Sequence, residues 1–425
     1  MMSWFLWARA PSAWRPAALA LALLGPLTPA VVTAASGQPA DGPFTLRGAL
    51  SRARTHSPAR QASAARVEAA DVSRAWAGRL LNPVTELRWE NMAPGLRGNL
   101  PADVFATVTQ PIELGGKREA RRGLAAATAN GARASLWATE KALDAEVARR
   151  FLSVIRQRDR AATLSEEALE LGEYVRVLGR RVAEGVTAEA DLRKLETEHA
   201  RVDTTAALAG IAATRELAAL AALVGWSPPP ALDALERPSL PPTAARDVTT
   251  AVEERPDVRL AASRLDASTR TLSFERARSV PDLHITGGFK RTARYDTGLL
   301  AVLVPIPIFE RNRANVVLAE GNLKAAQLEL EQTRLLAAGE VRATQMAAEE
   351  LIRRSATAAA QLVEPADVVR RSARAAFVSG AGDLLRLVDA ERVYADARLT
   401  ANELALDALL AAVEARLARA EDAVP

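Results

Sequence analysis

The feature that most limits what this chain can fold into is an internal repeat: the sequence matches itself at an offset of about 195 residues. "HSPARQASAARVEAA" from His56 lies over "ERPDVRLAASRLDAS" from Glu254, pairing Pro58 with Pro256 and Glu68 with Asp266. Further on, Pro111 meets Pro305, Leu136 meets Leu330, Gly185 meets Gly380 and Glu196 meets Glu391. A first repeat is expected over 36–225, a proline-rich linker ("WSPPPALDALERPSLPP") within 226–244, a second repeat over 245–420 and a short tail at 421–425. Each copy reads as helix, strand, turn, strand, very long helix, glycine-containing turn and returning helix.

The strands are expected near 84–91 and 103–110 in the first copy and near 282–290 and 298–306 in the second. In "VTELRWEN", Thr85, Leu87 and Trp89 alternate with Glu86, Arg88 and Glu90, a period of two that gives one apolar and one charged face. In "DLHITGGFK", Leu283, Ile285 and Phe289 likewise lie opposite His284, Thr286 and Lys290. Between Lys117 and about Glu184 there is no proline, and alanine, leucine, arginine and glutamate dominate. Leu164, Ala168, Leu171, Val175, Leu178 and Val182 step by alternating fours and threes, the seam of a coiled coil. At 1.5 Å per residue such a helix is about 100 Å long, more than a compact globular domain needs.

Residues 1–35 read as a secretory signal peptide, because their apolar run is far shorter than the ~18 residues of a spanning helix. No other uninterrupted apolar run reaches that length. Four strands of eight to ten residues suit an outer membrane when tilted, but a four-stranded sheet leaves two edges unpaired in hydrocarbon. A barrel must therefore close between chains. Two copies supply eight strands, three supply twelve and four supply sixteen, and strand physics alone does not choose. Acidic and basic residues are interspersed, with a net charge of only +4, so no nucleic-acid partner is expected. The absence of cysteine excludes disulfides, thiolate metal sites and a lipidated cysteine.

The paired-repeat layout, "NPVTELRWEN" followed by "QPIELGGKREAR", and the later "VPIPIFERNRAN" together resemble the TolC-like outer-membrane efflux proteins. The wording around "QPIELGGKR" is most similar to the CzcC-type, cation-efflux branch. The resemblance spans about Phe44 to Leu417. It implies a mainly α fold with a small β part, assembled as a homotrimer: a twelve-stranded barrel in outer-membrane lipid, continued by a periplasmic cylinder of helices. It implies no enzymatic activity and no cofactor. The partners are a periplasmic adaptor and an RND-type inner-membrane pump, and the function is the exit duct of a tripartite pump exporting metal cations. Multidrug or small-molecule efflux and type I secretion are the alternative for the cargo. A soluble periplasmic coiled-coil protein is a remote one.

The resemblance also points to site residues. An aromatic-x-x-Gly element at the second helix turn is matched by Phe377 and Gly380, which with Gly185 are expected to dock the adaptor. Asp389 falls on the second of two acidic gate positions, and Arg386 occupies the first. Asp383 is a third candidate for the gate. Pro111, Gly115, Gly116, Pro305 and Pro307 are expected to form the strand-to-helix junctions, with Lys117, Arg118, Arg121 and Arg122 facing anionic headgroups. No metal site is expected, because His56, His199 and His284 are far apart and lack ligand spacing. His199 aligns with Tyr394 and reads as a packing residue.

Overall fold

The first repeat opens with two short helices, α1 (Leu46–His56) and α2 (Pro58–Trp76). The Thr45 hydroxyl caps α1 by accepting the Gly48 N–H at 3.1 Å, and Pro58 begins α2 where a missing N–H costs no helical hydrogen bond. Strands β1 (Val84–Glu90) and β2 (Asp103–Ile112) follow, then α3 (Lys117–Ala183) and α4 (Glu189–Val224). The second repeat comprises α5 (Val248–Glu253), α6 (Pro256–Arg278), β3 (Leu283–Thr292), β4 (Tyr295–Leu303), α7 (Arg313–Ala358), α8 (Glu364–Val378) and α9 (Leu384–Ala418). These elements come from a computed structural model that describes residues 44–91, 102–239 and 247–424. The expected signal peptide and the loop after β1 lie outside the described residues.

At 67 residues, α3 is about 100 Å long. Its stripe of Leu164, Ala168, Leu171 and Leu178 is buried against Leu195, Val202 and Ala206 of α4. In the second copy the matching rod is interrupted, because α7 and α8 are joined by a π-helical segment, Ala359–Val363. Pro365 explains it. Proline has no N–H to offer the preceding turn and its ring collides with the carbonyl four residues back, and a wider turn relieves both. The sequence reading did not mark this break.

The two repeats share one core instead of forming separate domains. Leu46 and Leu50 pack with Phe151, Ile155 and Leu220 of the first repeat and with Leu406 and Val413 of the second. Beside them Asp144 is fully buried, paired with Arg54. The expected tail belongs to this region: Asp422 accepts from Lys141 at 2.8 Å and Ala423 is buried. The described part of the linker, up to residue 239, is likewise held down, through a 3-10 turn at Leu232–Ala234 and a bridge between Leu235 and Phe44. Within α4, one window has a mean hydropathy of 1.6 and would pass for a membrane span by length and composition. A third of that window is buried, including Ala209, Ala213, Leu217 and Leu220 in helix packing, while Leu208 and Ile211 are exposed.

The strands form one antiparallel sheet in the order β1-β2-β3-β4, leaving β1 and β4 as edges. Leu87 lies opposite Ala106, Ala106 opposite Phe289 and Phe289 opposite Gly298. This register gathers Leu87, Trp89, Val108, Ile285, Leu300 and Val302 on one side of the sheet, and Glu86, Arg88, Asp103, Thr107, Thr286 and Lys290 on the other. On β2 the polar side is the sheltered one, with Asp103 6% and Thr107 9% exposed, whereas the edge strands β1 and β4 are exposed on nearly every residue, Trp89 at 51% and Leu300 at 79% among them. Lys290 pairs with Asp103 at 2.7 Å, and the Thr109 and Thr286 hydroxyls meet at 2.8 Å on that side. β4 begins three residues earlier than the sequence suggests, because Thr292 pairs with Tyr295 across a two-residue turn with positive φ at Ala293. Pro305 and Pro307 therefore fall beyond the ladder, while Pro111 sits within it next to the end of β2.

Candidate functional site

Two places concentrate the predicted site residues: the junctions where strands feed the long helices, and the turns at the far end of those helices. At the first junction Gly115 and Gly116 have φ of 67° and 73°, and α3 starts at the next residue. A Cβ on Gly115 would stand 2.6 Å from the Val280 Cβ, whereas one on Gly116 would meet nothing within 4 Å. The chain thus turns here in left-handed backbone, with Val280 of the other repeat pressed against it.

Of the basic residues that follow, Lys117 and Arg121 are drawn into contacts within the chain, while Arg118 and Arg122 are exposed. Lys117 is buried and pairs with Asp282 at 2.7 Å. Arg121 donates to the Ala77 and Arg79 carbonyls at 2.7 and 2.9 Å and pairs with Glu113, while Arg118 donates to the Gly78 carbonyl. Arg122 pairs with Glu119. The carbonyls at the end of α2 are the orphan acceptors of a helix terminus, and cations satisfy them better than water does. At the second junction Asn312 adopts φ 57° just before α7 and donates to the Glu275 carbonyl at 2.8 Å. It takes the place of Gly116. The sequence reading missed it, although aligning the two helix starts reveals it.

At the far end, Gly185 (φ 72°) ends α3, with the Val186 N–H donating to the Arg181 carbonyl at 2.9 Å. Gly380 (φ 78°) ends α8, where the Ala381 and Gly382 N–H groups both donate to the Ala376 carbonyl at 3.0 and 2.8 Å. The tightness of that turn also demands Gly382, unmarked in the sequence reading: a Cβ there would lie 2.8 Å from the Phe377 backbone nitrogen. Both Gly185 and Gly380 are exposed.

Phe377 is not available for docking. It is 3% exposed, its ring meets Tyr174 edge-on at 6.1 Å, and the Arg181 guanidinium lies 5.0 Å from the ring centre. Arg181 also donates to the Phe377 and Val378 carbonyls, at 3.2 and 3.3 Å. The aromatic ring is therefore the internal clasp between the end of α3 and the end of α8. Its chemical payload is burial plus a cation over its face.

Asp383 and Asp389 line a groove of about 770 Å³ between the starts of α4 and α9, together with Asp191, Lys194 and Arg392. Arg386 is exposed and lies outside that lining. Among the described residues neither Arg386 nor Asp389 has an ion-pair partner. The groove wall is fastened by Glu198, which accepts from Arg201 at 2.8 Å and from Arg392 at 2.9 Å. The Arg201 hydrogen bond, supported by Arg392 and opposed by burial, holds the Glu198 carboxyl down at about 2.

Behind the groove, Glu391 is nearly inaccessible and accepts the Tyr174 O–H at 2.8 Å. Burial pushes its carboxyl up to about 7. Glu170 adds to the rise, and the Tyr174 hydrogen bond and Arg370 oppose it. Burial likewise raises Glu167 to about 7. Sequence reasoning aligned Glu391 with Glu196 but assigned it no role, since helical periodicity does not reveal a buried carboxyl.

The histidines stay apart. His199 packs beside Gly172, His56 Nδ1 lies 2.7 Å from the Thr55 hydroxyl, and His284 sits on the polar side of the sheet. Among the described residues no group of His, Asp and Glu has metal-site geometry.

The family model for outer membrane efflux proteins matches residues 248–420. The chain is 30% identical over 371 residues to the cobalt-zinc-cadmium resistance protein CzcC of Cupriavidus metallidurans, covering 85% of this chain and 86% of that one. It belongs to the outer membrane efflux protein family. Within the family it falls with the CzcC-type branch. Solved structures agree on the fold. The outer-membrane channel OprN superposes with a TM-score of 0.76 at 18% identity, covering 89% of this chain and 91% of OprN. CusC gives 0.74 at 18% identity, covering 88% and 91%. Outer membrane efflux proteins are channel-forming and not enzymes, and this one resides in the outer membrane with a long periplasmic helical portion.

Proposed function

We propose that three copies of this efflux protein close a twelve-stranded barrel and form the exit duct of a tripartite pump that exports divalent metal cations. The observation that carries the reading is the sheet: four strands with an exposed apolar side, a polar side sheltered along β2, and two unpaired edges at β1 and β4. Such a sheet is stable in hydrocarbon only when its edges meet those of other copies. Three copies then continue the barrel into a cylinder of α3, α4, α7, α8 and α9. At its tip Asp389, Arg386 and Asp383 constrict the opening, and the exposed turns at Gly185 and Gly380 dock the periplasmic adaptor. Pro111, Gly115, Gly116, Pro305 and Pro307 act as the exits from the barrel. Similarity to a cobalt-zinc-cadmium resistance protein along most of both chains supports the cargo.

The test is native mass spectrometry of protein extracted from outer membranes, with cobalt, zinc and cadmium tolerance of a deletion strain. The reading expects a trimer and lowered tolerance. Recovery as a monomer after osmotic shock, or unchanged tolerance to all three metals beside increased drug sensitivity, overturns the assembly or the cargo respectively.

A further inference from the structure

Behind the gate segment α3, α8 and α9 enclose a cavity of about 380 Å³ lined mainly by ionisable side chains. Its innermost group is Glu391, 2% exposed, on the same helix as Asp389 and two residues beyond it. From α3 the Tyr174 O–H donates to Glu391 Oε1 at 2.8 Å, and Glu170 presents a second carboxyl within hydrogen-bonding reach. From α8, Arg370 Nη1 lies 3.0 Å from both Glu170 oxygens, while its Nε and Nη2 donate to Asp367. One guanidinium thus faces two carboxyls that belong to opposite helices.

The charges around them are already committed. Arg398 of α9 is held by Glu166 at 2.6 Å, and Arg201 of α4 is held by Glu198. Arg374 is exposed on the far side of the Tyr174 ring, while Tyr394 stacks under Arg370 at 4.2 Å. Glu167 and Asp396 add negative charge nearby. With a proton, Glu391 donates to Glu170 and accepts from Tyr174, so every polar atom is satisfied and Arg370 balances one carboxylate. Without it, the sealed Glu391 carboxylate and the 37% exposed Glu170 carboxylate face one guanidinium that Asp367 also engages, and they repel α9 from α3.

We propose that the Glu391–Glu170 pair is a proton-operated latch: the protonated pair clamps the gate-bearing start of α9 against α3, and deprotonation releases it. It rests on the gated-duct reading above. The α7–α8 rod has a built-in place to bend, the π-helical segment before Pro365, whereas α9 runs unbroken from Leu384 into the shared core, so release swings α8 and the free start of α9 away from α3. A carboxyl raised by its closed environment favours the closed form fully below the ordinary carboxylate range. That preference is lost as pH rises through about 7. An alkaline periplasm therefore loosens the tip and an acidic one tightens it, by on the order of tenfold to 100-fold in the closed-to-open ratio.

The experiment is planar-bilayer recording of the full-length wild type, Glu391→Gln and Tyr174→Phe between about pH 5.5 and about pH 8.5. Wild-type open probability is expected to rise through neutrality. Glu391→Gln, always neutral and still able to donate, is expected to stay closed with a flat response. Tyr174→Phe removes a hydrogen bond that lowers the Glu391 pKa, so its midpoint is expected to move to higher pH; this variant remains informative if the glutamine variant fails to assemble. Conducting wild-type channels with no pH response, or a wild-type response surviving in Glu391→Gln, overturns the latch alone. No conductance from trimers at any pH overturns the duct reading together with it.

Discussion

Replacing Gly115 and Gly116 one at a time by alanine separates two costs that usually come together. Both residues hold left-handed backbone, and an alanine there costs about 1–2 kcal/mol. Only at Gly115 does the new methyl also collide, 2.6 Å from the Val280 Cβ and 2.7 Å from its Cγ2, and overpacking of that kind costs about 1–3 kcal/mol more. Gly115→Ala is thus expected to destabilise by about 2–5 kcal/mol, against about 1–2 for Gly116→Ala. Trimming the obstacle should recover part of the difference: Gly115→Ala with Val280→Ala, which removes both Cγ contacts and keeps the Cβ one, should show a favourable coupling of about 0.5–1 kcal/mol. Val280 is 38% exposed, so its own truncation is mild. Denaturant midpoints of detergent-solubilised protein, followed by tryptophan fluorescence, measure all four variants. Equal losses at the two glycines, or no recovery in the double variant, would refute the claim that Val280 sets the geometry of this bend.

Asp389→Ala removes an exposed charge from the proposed constriction and should raise single-channel conductance, with unchanged conductance in folded trimers counting against a gate at that position. Leu87→Arg, on the apolar side of β1, should abolish membrane assembly, because an arginine facing hydrocarbon at mid-depth costs about 2–4 kcal/mol; Glu86→Ala, on the polar side, should assemble normally, and equal recovery of both in outer-membrane fractions would contradict the assignment of sides. Glu198→Gln should cost about 1 kcal/mol at neutral pH, since its arginine partners are half exposed. The Glu198 carboxyl is lowered, so its contribution is present above about 4.5 and disappears as pH falls through about 2; the gap between wild-type and variant midpoints should close over that window, and a pH-independent gap would exclude the ion pair as its source.

Much of the architecture was legible because it depends on local periodicity. The alternation in "VTELRWEN" already separated Leu87 and Trp89 from Glu86 and Arg88, and the fours and threes from Leu164 to Leu178 already marked the stripe that α4 covers. Less legible was anything decided by a partner distant in sequence. Lys117 read as part of an exposed basic patch, yet it is buried against Asp282, and Arg121 is drawn to the Ala77 carbonyl. Phe377 read as a docking aromatic, yet Tyr174 and Arg181 bury it.

What the sequence by itself determined is the repeat, the order of its elements, their lengths within a few residues, and the apolar and polar side of each strand. These follow from spacing along one chain, where helix and strand periods decide which residues share a face. What only the tertiary structure decided is the identity of the buried charges and the interruption of the second rod before Pro365. Glu391 and Asp144 look like any other carboxylates in a helical pattern. Whether such a group is solvated or sealed depends on which helices stand against it, and local periodicity carries no information about that.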